Sequence, residues 1–445
     1  MTGKLGMNRR GATAPAVTRR TMIAALGGMS LAACALTGLA PAAKAQNAEP
    51  VKVGVMGPFT GPASRTGEGI QKGARMALED ARADGMLPVT IDGEERDIEF
   101  VWVDSQSSPE KAVKAVSDAV SRQGVQIMVS GWHSSVAMAV SEAEIGMDIV
   151  HIGHGGESQF ICEKINQDPE NYRHWFKGWS SPPIFAGLYG EPLQHFMDEG
   201  LWQPENMKAA VVVEDTDYGR GWGEALANSL EKVGFDVLPY DVIPLDETEF
   251  TPLLAKYRAQ NVSVVGMTVT GNVSASNFVK QFHQQQLPAL LIGHGLTWFS
   301  EWHELTGEAS NYVITMDSPR VIAPYQQEWV ERYREKYDED PSFAPAGQQG
   351  YDYMMTAIKV LQNAGTLDFE TLVEEARAID HQGVWQRINF AEEAGESALC
   401  PGEVQVGGFE EGFFFPLVQL IDGEAKILWP LEHAQAEFQA PPWLQ

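Results

Sequence analysis

The side chains best suited to chemistry fall in short clusters, and the first to weigh is histidine-rich. His133, His151 and His154 present imidazole nitrogens, the commonest zinc donors beside cysteine. His151 and His154 lie three apart across a strand end, and an extended chain points them to opposite faces. A shared ion would require the loop to turn at once, so the three are read as core or loop histidines and no metal is expected. Nucleophilic catalysis has no firmer footing. No Gly-x-Ser-x-Gly elbow occurs, Cys162 and Cys400 lack a recognisable catalytic setting, and neither a phosphate loop nor a dinucleotide fingerprint is complete. No cofactor and no catalytic residue is therefore assigned, and the chain is not expected to be an enzyme.

Binding chemistry is better represented. Ser130-Gly131-Trp132-His133-Ser134-Ser135 and Gly153-His154-Gly155-Gly156-Glu157 each follow an apolar run, as does the glycine- and hydroxyl-rich loop from Gly61 to Gly67. Ser134 and Ser135 fall at the start of a helical pattern, where hydroxyls and free backbone N–H groups together hold a carboxylate or carbonyl oxygen. Taken alone, Ser134 is an N-cap and Gly155-Gly156 an ordinary turn. Cys162 and Cys400 are an even pair, expected to form a disulfide in an oxidising compartment.

The elements that must position these loops alternate strand with helix. Strands are predicted at Val51 to Met56, Ile98 to Val103, Val125 to Val129 and Ile149 to Ile152. Between them lie a helix with apolar spacing at Ile70, Ala74, Ala77, Leu78 and Ala81, one opened by Ser108-Pro109-Glu110, and one from Ser134 to Ile145. An irregular aromatic stretch runs from Cys162 to Pro183. The rhythm then restarts, with strands at Ala209 to Val213, Asp236 to Ile243, Val262 to Thr268 and Leu290 to Ile292. Helices are expected near Gly221 to Val233, Phe250 to Gln260, Ser274 to Gln285, Tyr325 to Tyr337 and Ala346 to Ala364, before a strand pair at Phe415 to Ile421 and Ala425 to Trp429. Such alternation means an α/β fold of two Rossmann-like lobes with parallel sheets. Open sheets of this kind bind ligands beyond the carboxyl ends of their strands.

The N-terminal segment carries an export signal. Arg19-Arg20 precedes an apolar run from Met22 to Ala43, no acidic residue occurs before Glu49, and Ala43-Lys44-Ala45 is a small-x-small cleavage pattern. The run resembles a twin-arginine signal, with cleavage expected after Ala45 and a periplasmic destination. Leu31-Ala32-Ala33-Cys34 offers a competing lipobox, with a lipid anchor on Cys34. The 445 residues hold 32 Lys+Arg against 60 Asp+Glu, a formal charge of −28, and removing residues 1–45 takes away six basic and no acidic side chains. So acidic a chain is a poor partner for nucleic acid.

Val53-Gly54-Val55-Met56-Gly57-Pro58-Phe59-Thr60-Gly61-Pro62, Gly67 through Gly73-Ala74-Arg75-Met76-Ala77, Asp104-Ser105-Gln106, and Glu214-Asp215-Thr216-Asp217-Tyr218-Gly219-Arg220-Gly221 occur in that order. With the closing Phe415-Pro416-Leu417 to Trp429-Pro430, they resemble the leucine/isoleucine/valine-binding family of periplasmic receptors, of the type I periplasmic-binding fold. The resemblance implies the solute-binding component of an ABC importer, which captures a small organic solute and docks on a permease whose ATPase is a separate chain. It implies a first lobe of residues 50–180 plus 316–382 and a second of 181–315 plus 383–445, joined by a three-crossing hinge. It places ligand contacts at Ser134, Ser135, His154, Gly155, Gly156 and Tyr218, with Thr66 lining the mouth. Trp132, His133, Thr270, Asn272 and His294 complete the expected set. The family's acidic partner for a ligand ammonium is replaced here by Gly293-His294-Gly295, and with Trp132, His133, His154 and Trp298 nearby this favours an amide or an aromatic or carboxylate solute over a plain amino acid. Asp217 is a second possible anion. A ligand-sensing module of a signalling system and a periplasmic hydrolase are the competing readings. A sensor is expected to carry a membrane helix or effector domain, and the sequence up to Gln445 shows neither.

Overall fold

A strand buried on both faces has to be apolar on both, and Val53, Val55 and Met56 fill such a strand with no exposed side chain. The computed structural model describes residues 48–444 apart from 62, 299–301, 319 and 342–345. The segment read from sequence as an export signal, with Arg19, Arg20, Cys34 and Ala45, lies outside the described residues. β1 (Val51–Gly57), β2 (Ile98–Asp104), β3 (Ile127–Val129), β4 (Val150–His154) and β5 (Trp175–Lys177) form a parallel sheet in the order β2-β1-β3-β4-β5. Helices α1 (Ser64–Ala83), α2 (Pro109–Gln123), α3 (Ser134–Ala143) and α4 (Gln159–Gln167) connect or flank these strands. Ser108 caps α2 by accepting from Lys111 N at 3.5 Å, with Pro109 in the first turn and Gly124 closing it in the left-handed conformation. The aromatic stretch read as irregular in fact contains most of α4 and all of β5. Its aromatic residues Trp175 and Phe176 alternate too briefly to show a period, and they are buried because β5 has helices on one side and the chain's last third on the other.

The second sheet repeats the plan. β6 (Lys208–Glu214), β7 (Asp241–Ile243), β8 (Val264–Thr268), β9 (Leu290–His294) and β10 (Ile314–Met316) are parallel in the order β7-β6-β8-β9-β10. β11 (Leu417–Ile421) and β12 (Glu424–Trp429) add antiparallel strands beyond β10. The strand expected from Asp236 to Ile243 is split into Asp236–Val237 and β7, because Pro239 cannot donate to the ladder. α5 (Asp217–Lys232) and α6 (Asn272–Gln285) cover this sheet, and α7 (Pro324–Tyr337) and α8 (Ala346–Ala364) return to the first. α8 lies along α1 so closely that a Cβ on Gly73 would fall 1.9 Å from the Gly347 carbonyl oxygen. Ile70, Ala74 and Ala77 meet Met354, Ile358 and Leu361 there with none of their surface exposed. Each of the larger of these side chains contributes roughly 1.5–3 kcal/mol by leaving water.

The chain's last third does not stay with one sheet. Lys177 N donates to Gly402 O at 2.8 Å and Val404 N to Lys177 O at 2.9 Å, so residues around 402–404, grouped with the second lobe from sequence, run along β5 of the first sheet. A Cys162–Cys400 disulfide fastens the same region to α4, with the Cα atoms 5.1 Å apart. Among the described residues no helix is long and apolar enough to cross a membrane.

Candidate functional site

The loops at the carboxyl ends of both parallel sheets converge. α3 and α4, which follow β3 and β4, touch α5, which follows β6. The β3 loop is wound tightly, with Ser130, Gly131 and His133 all at positive φ. Non-glycine residues in that region cost roughly 1–3 kcal/mol each and persist where the surroundings impose them. A Cβ on Gly131 would lie 2.1 Å from the His154 ring, which is how the β3 loop packs over the end of β4.

Several expected residues act differently from their sequence reading. His133, not Ser134, occupies the N-cap of α3, and it makes no capping bond. Ser134 Oγ instead accepts from Ser158 N at 3.0 Å, tying the β3 loop to the β4 loop. The rings of His151 and His154 do not diverge. Gly153, at φ 84, shifts the register between β4 and β5 and brings the two ring centroids to 5.4 Å. Both nitrogens of His151 are nonetheless engaged, Nδ1 with Glu144 at 3.0 Å and Nε2 with Ser130 O at 2.7 Å. His154 Nδ1 accepts from Gly156 N at 3.0 Å. Among the described residues the one triad of possible metal donors is Cys162, Cys400 and Glu403, and its two sulfurs are already bonded to each other.

Burial sets the charge state of these rings. It lowers the His133 pKa to about 4, and it holds that of His154 well below the ordinary value, with help from His151, His133 and Lys177. His133 Nε2 and His154 Nε2 have no hydrogen-bond partner.

From the second sheet, Tyr218 stands in the first turn of α5 with its hydroxyl 2.6 Å from Thr268 Oγ1. Burial raises its pKa, and the Glu157 carboxylate raises it again. Thr270 is used internally: its N–H and hydroxyl donate to Glu214 Oε2 at 2.6 and 2.7 Å, and Thr216 donates to Oε1 at 2.8 Å. Glu214 thus fixes the loops after β6 and β8. Asn272 Oδ1 accepts from Val273 N at 2.8 Å within its own helix start. Ser135 and Asp217 are exposed, while Thr66 and Trp132 are half-buried.

The contact that joins the two sheets was not foreseen. Glu157, from the β4 loop, places Oε2 3.4 Å from His294 Nε2 at the end of β9, and both residues are buried. Neither His294 nitrogen has a hydrogen-bond partner, and Glu157 Oε2 has none. The His294 ring stacks on Phe185 at 4.6 Å and meets Trp298 edge-on at 5.0 Å. Trp179, next to β5, crosses Trp298 at 5.4 Å, and the indole N–H groups of both are unpartnered. A small cleft opens beside Trp179, Gln349, Asp352 and Phe413. Gln349, unpartnered at both amide atoms, also lies against Gly155. A second small cleft, between Arg65, Glu68, Tyr333 and Glu339, shares no residue with these loops. The only sequence signal for Glu157 was a carboxylate directly after the Gly155-Gly156 turn.

Beneath the cleft, Lys177 and Glu403 form an ion pair at 2.9 Å with neither side chain exposed. Lys177 also donates to the Trp179 carbonyl, and Glu403 accepts from Ser181 Oγ at 2.6 Å and from Leu399 N. Burial lowers the Lys177 pKa and Glu403 opposes that shift. Tyr189 donates to Gly293 O and accepts from Met316 N at 3.0 Å, bracing β9 against β10 beneath His294.

Two parallel sheets facing each other through their carboxyl-end loops are the arrangement of the type I periplasmic-binding fold, and the comparisons agree. The chain is 25% identical over 346 residues to a Leu/Ile/Val-binding protein homolog of Brucella melitensis, an alignment covering 76% of this chain and 84% of that one. A Silicibacter pomeroyi protein assigned to a branched-chain amino acid ABC transporter superposes with a TM-score of 0.77 at 20% identity, covering 88% of this chain and 100% of the other. A solute-binding protein of an ABC transporter from R. palustris, in complex with benzoate, superposes with a TM-score of 0.64 at 19% identity, covering 89% of this chain and 99% of the other. Residues 50–401 match the sequence family described as periplasmic binding protein, so the chain belongs to that family.

Proposed function

We propose that this chain is the extracytoplasmic solute-binding component of an ABC importer of the branched-chain amino-acid and amide type. It captures a small organic solute between two lobes and releases it unchanged. The observation that carries the reading is the meeting of Glu157 and His294: two buried side chains from opposite sheets face each other with polar atoms unpartnered. Buried polar groups are normally satisfied, and a site that leaves them bare is one whose partner arrives from outside. Ser134, with the β4 loop from His154 to Gly156, grips from the first lobe, and Tyr218 and His294 grip from the second. The lobes are residues 50–180 with 316–382 and 181–315 with 383–445, save that the stretch around 400–404 pairs with β5 of the first lobe, and the three chain crossings between them act as a hinge. The twin-arginine-like segment directs export to the periplasm, with cleavage after Ala45, and the loaded receptor docks on a permease served by separate ATPase chains.

A thermal-shift screen over amino acids, amides, urea and aromatic acids tests this, since a solute bound only by the folded state raises its melting temperature. At least one class should stabilise the protein and be recovered intact. Conversion of the stabilising compound to a product would establish an enzyme instead.

A further inference from the structure

The Gly293-His294-Gly295 loop offers no carboxylate, yet the cleft does contain one. Glu157 is 7% exposed and reaches it from the opposite sheet. Removing a carboxylate from water costs several kcal/mol unless a cation or several donors meet it. The donors near Glu157 are committed or poorly placed. Lys177, whose field reaches Glu157, already serves Glu403 and the Trp179 carbonyl. Tyr218, whose hydroxyl Glu157 also influences, is bonded to Thr268. His294 Nε2, at 3.4 Å, forms no hydrogen bond with it.

Opposite Glu157 the wall is built of rings. Phe185 stacks on His294, while Trp222 lies 6.2 Å and Trp298 5.0 Å from it. A carboxylate facing such a wall suits a nitrogen cation, which gains a charge-assisted contact on one side and ring faces on the other. A ligand carboxylate placed there would meet Glu157 as a like charge.

We infer that Glu157 is the specificity-determining counter-ion for a cationic nitrogen of the solute, seated between Glu157 on the first lobe and the rings around His294 on the second. This rests on the proposed receptor function and names the charge class of its ligand. The missing carboxylate in the 293–295 loop leads to the expectation of a neutral or anionic solute, and the cationic assignment departs from that expectation on the carboxylate that Glu157 brings from the other lobe.

The test is a thermal-shift panel of matched pairs, each a cation and its uncharged isostere: phenylethylamine with phenylethanol, benzamidine with benzamide, and choline with 3,3-dimethylbutanol. Calorimetry then follows on every hit, using the native protein and Glu157→Gln. The cationic members should bind, and Glu157→Gln should weaken them roughly 10- to 100-fold, the range for a hydrogen bond to a charged group, while leaving the uncharged partners unaffected. Glu157→Gln should melt no lower than the native protein without ligand, because it removes a buried charge whose Oε2 makes no hydrogen bond. Tighter native binding of the uncharged members, or cation affinity unchanged in Glu157→Gln, overturns the assignment and leaves the receptor function standing. Stabilisation by no compound in either this panel or the broader screen would remove the receptor function and this inference together.

Discussion

The buried Lys177–Glu403 pair makes a sharp test of how the cleft floor is held. At 2.9 Å, and with an effective dielectric of about 20, the attraction is worth about 6 kcal/mol. Much of that is offset by desolvating two side chains that expose nothing to solvent. The net value of the intact pair is therefore small, while breaking it is costly. Glu403→Gln leaves the Lys177 ammonium with neutral acceptors only and should cost about 3–5 kcal/mol. Lys177→Met alone strands the Glu403 carboxylate with Ser181 and Leu399 N–H, and should cost a similar amount. Combining the two removes both charges, so the double variant should be more stable than the sum of the single losses by about 2 kcal/mol or more. Urea unfolding of the four proteins, in the cycle they form, measures this directly. Single losses below about 1 kcal/mol, or strictly additive ones, would show that the pair does not hold residues around 402–404 against β5.

Three further outcomes follow from the site. Ser134→Ala and Tyr218→Phe should each weaken solute binding by roughly 1–3 kcal/mol in calorimetry while circular dichroism stays unchanged, and native affinity in both would remove them from the grip. Gly153→Ala should destabilise the protein by roughly 1–3 kcal/mol, since Gly153 has φ 84 and its new Cβ would sit 2.1 Å from the Tyr353 ring; a neutral result in denaturant would contradict the turn. The third concerns pH. The His133 pKa is about 4 when folded and ordinary when unfolded, so the unfolded chain takes up the proton first and stability falls as pH drops from about 6.5 to 4, by at most about 3 kcal/mol. His133→Asn, which tolerates the positive φ, should flatten that decline, and an identical slope in both proteins would refute it. The comparison between variants isolates this ring from Asp352, whose pKa burial raises to about 7 and whose effect runs in the opposite sense.

Periodicity made most of the fold legible. Val51, Val53 and Val55, the Ser108-Pro109 start of α2, and the apolar spacing of α1 are local signals, and the corresponding elements form where they point. β5 and β10 escaped because three residues carry no period, and both are strands only because the neighbouring strand pairs with them. The loops that line the cleft were also legible as loops. What they do was not, because it depends on contacts far apart in the chain. His151 and His154 come together through a single positive φ at Gly153, Ser134 bonds to Ser158 instead of capping its helix, and Glu157 meets His294 from 137 positions away. No spacing rule reports a carboxylate on one sheet facing an imidazole on another.

Small-angle scattering of the exported form, with and without a saturating solute identified by the screens, tests the central claim most directly. On the proposed reading, a solute held by Ser134 on one lobe and Tyr218 on the other favours the closed arrangement by its preference for that state, and the three proposed crossings let the lobes swing without parting. The account predicts an open particle that becomes more compact on binding. A protein that starts open and keeps the same radius with its solute bound would contradict it.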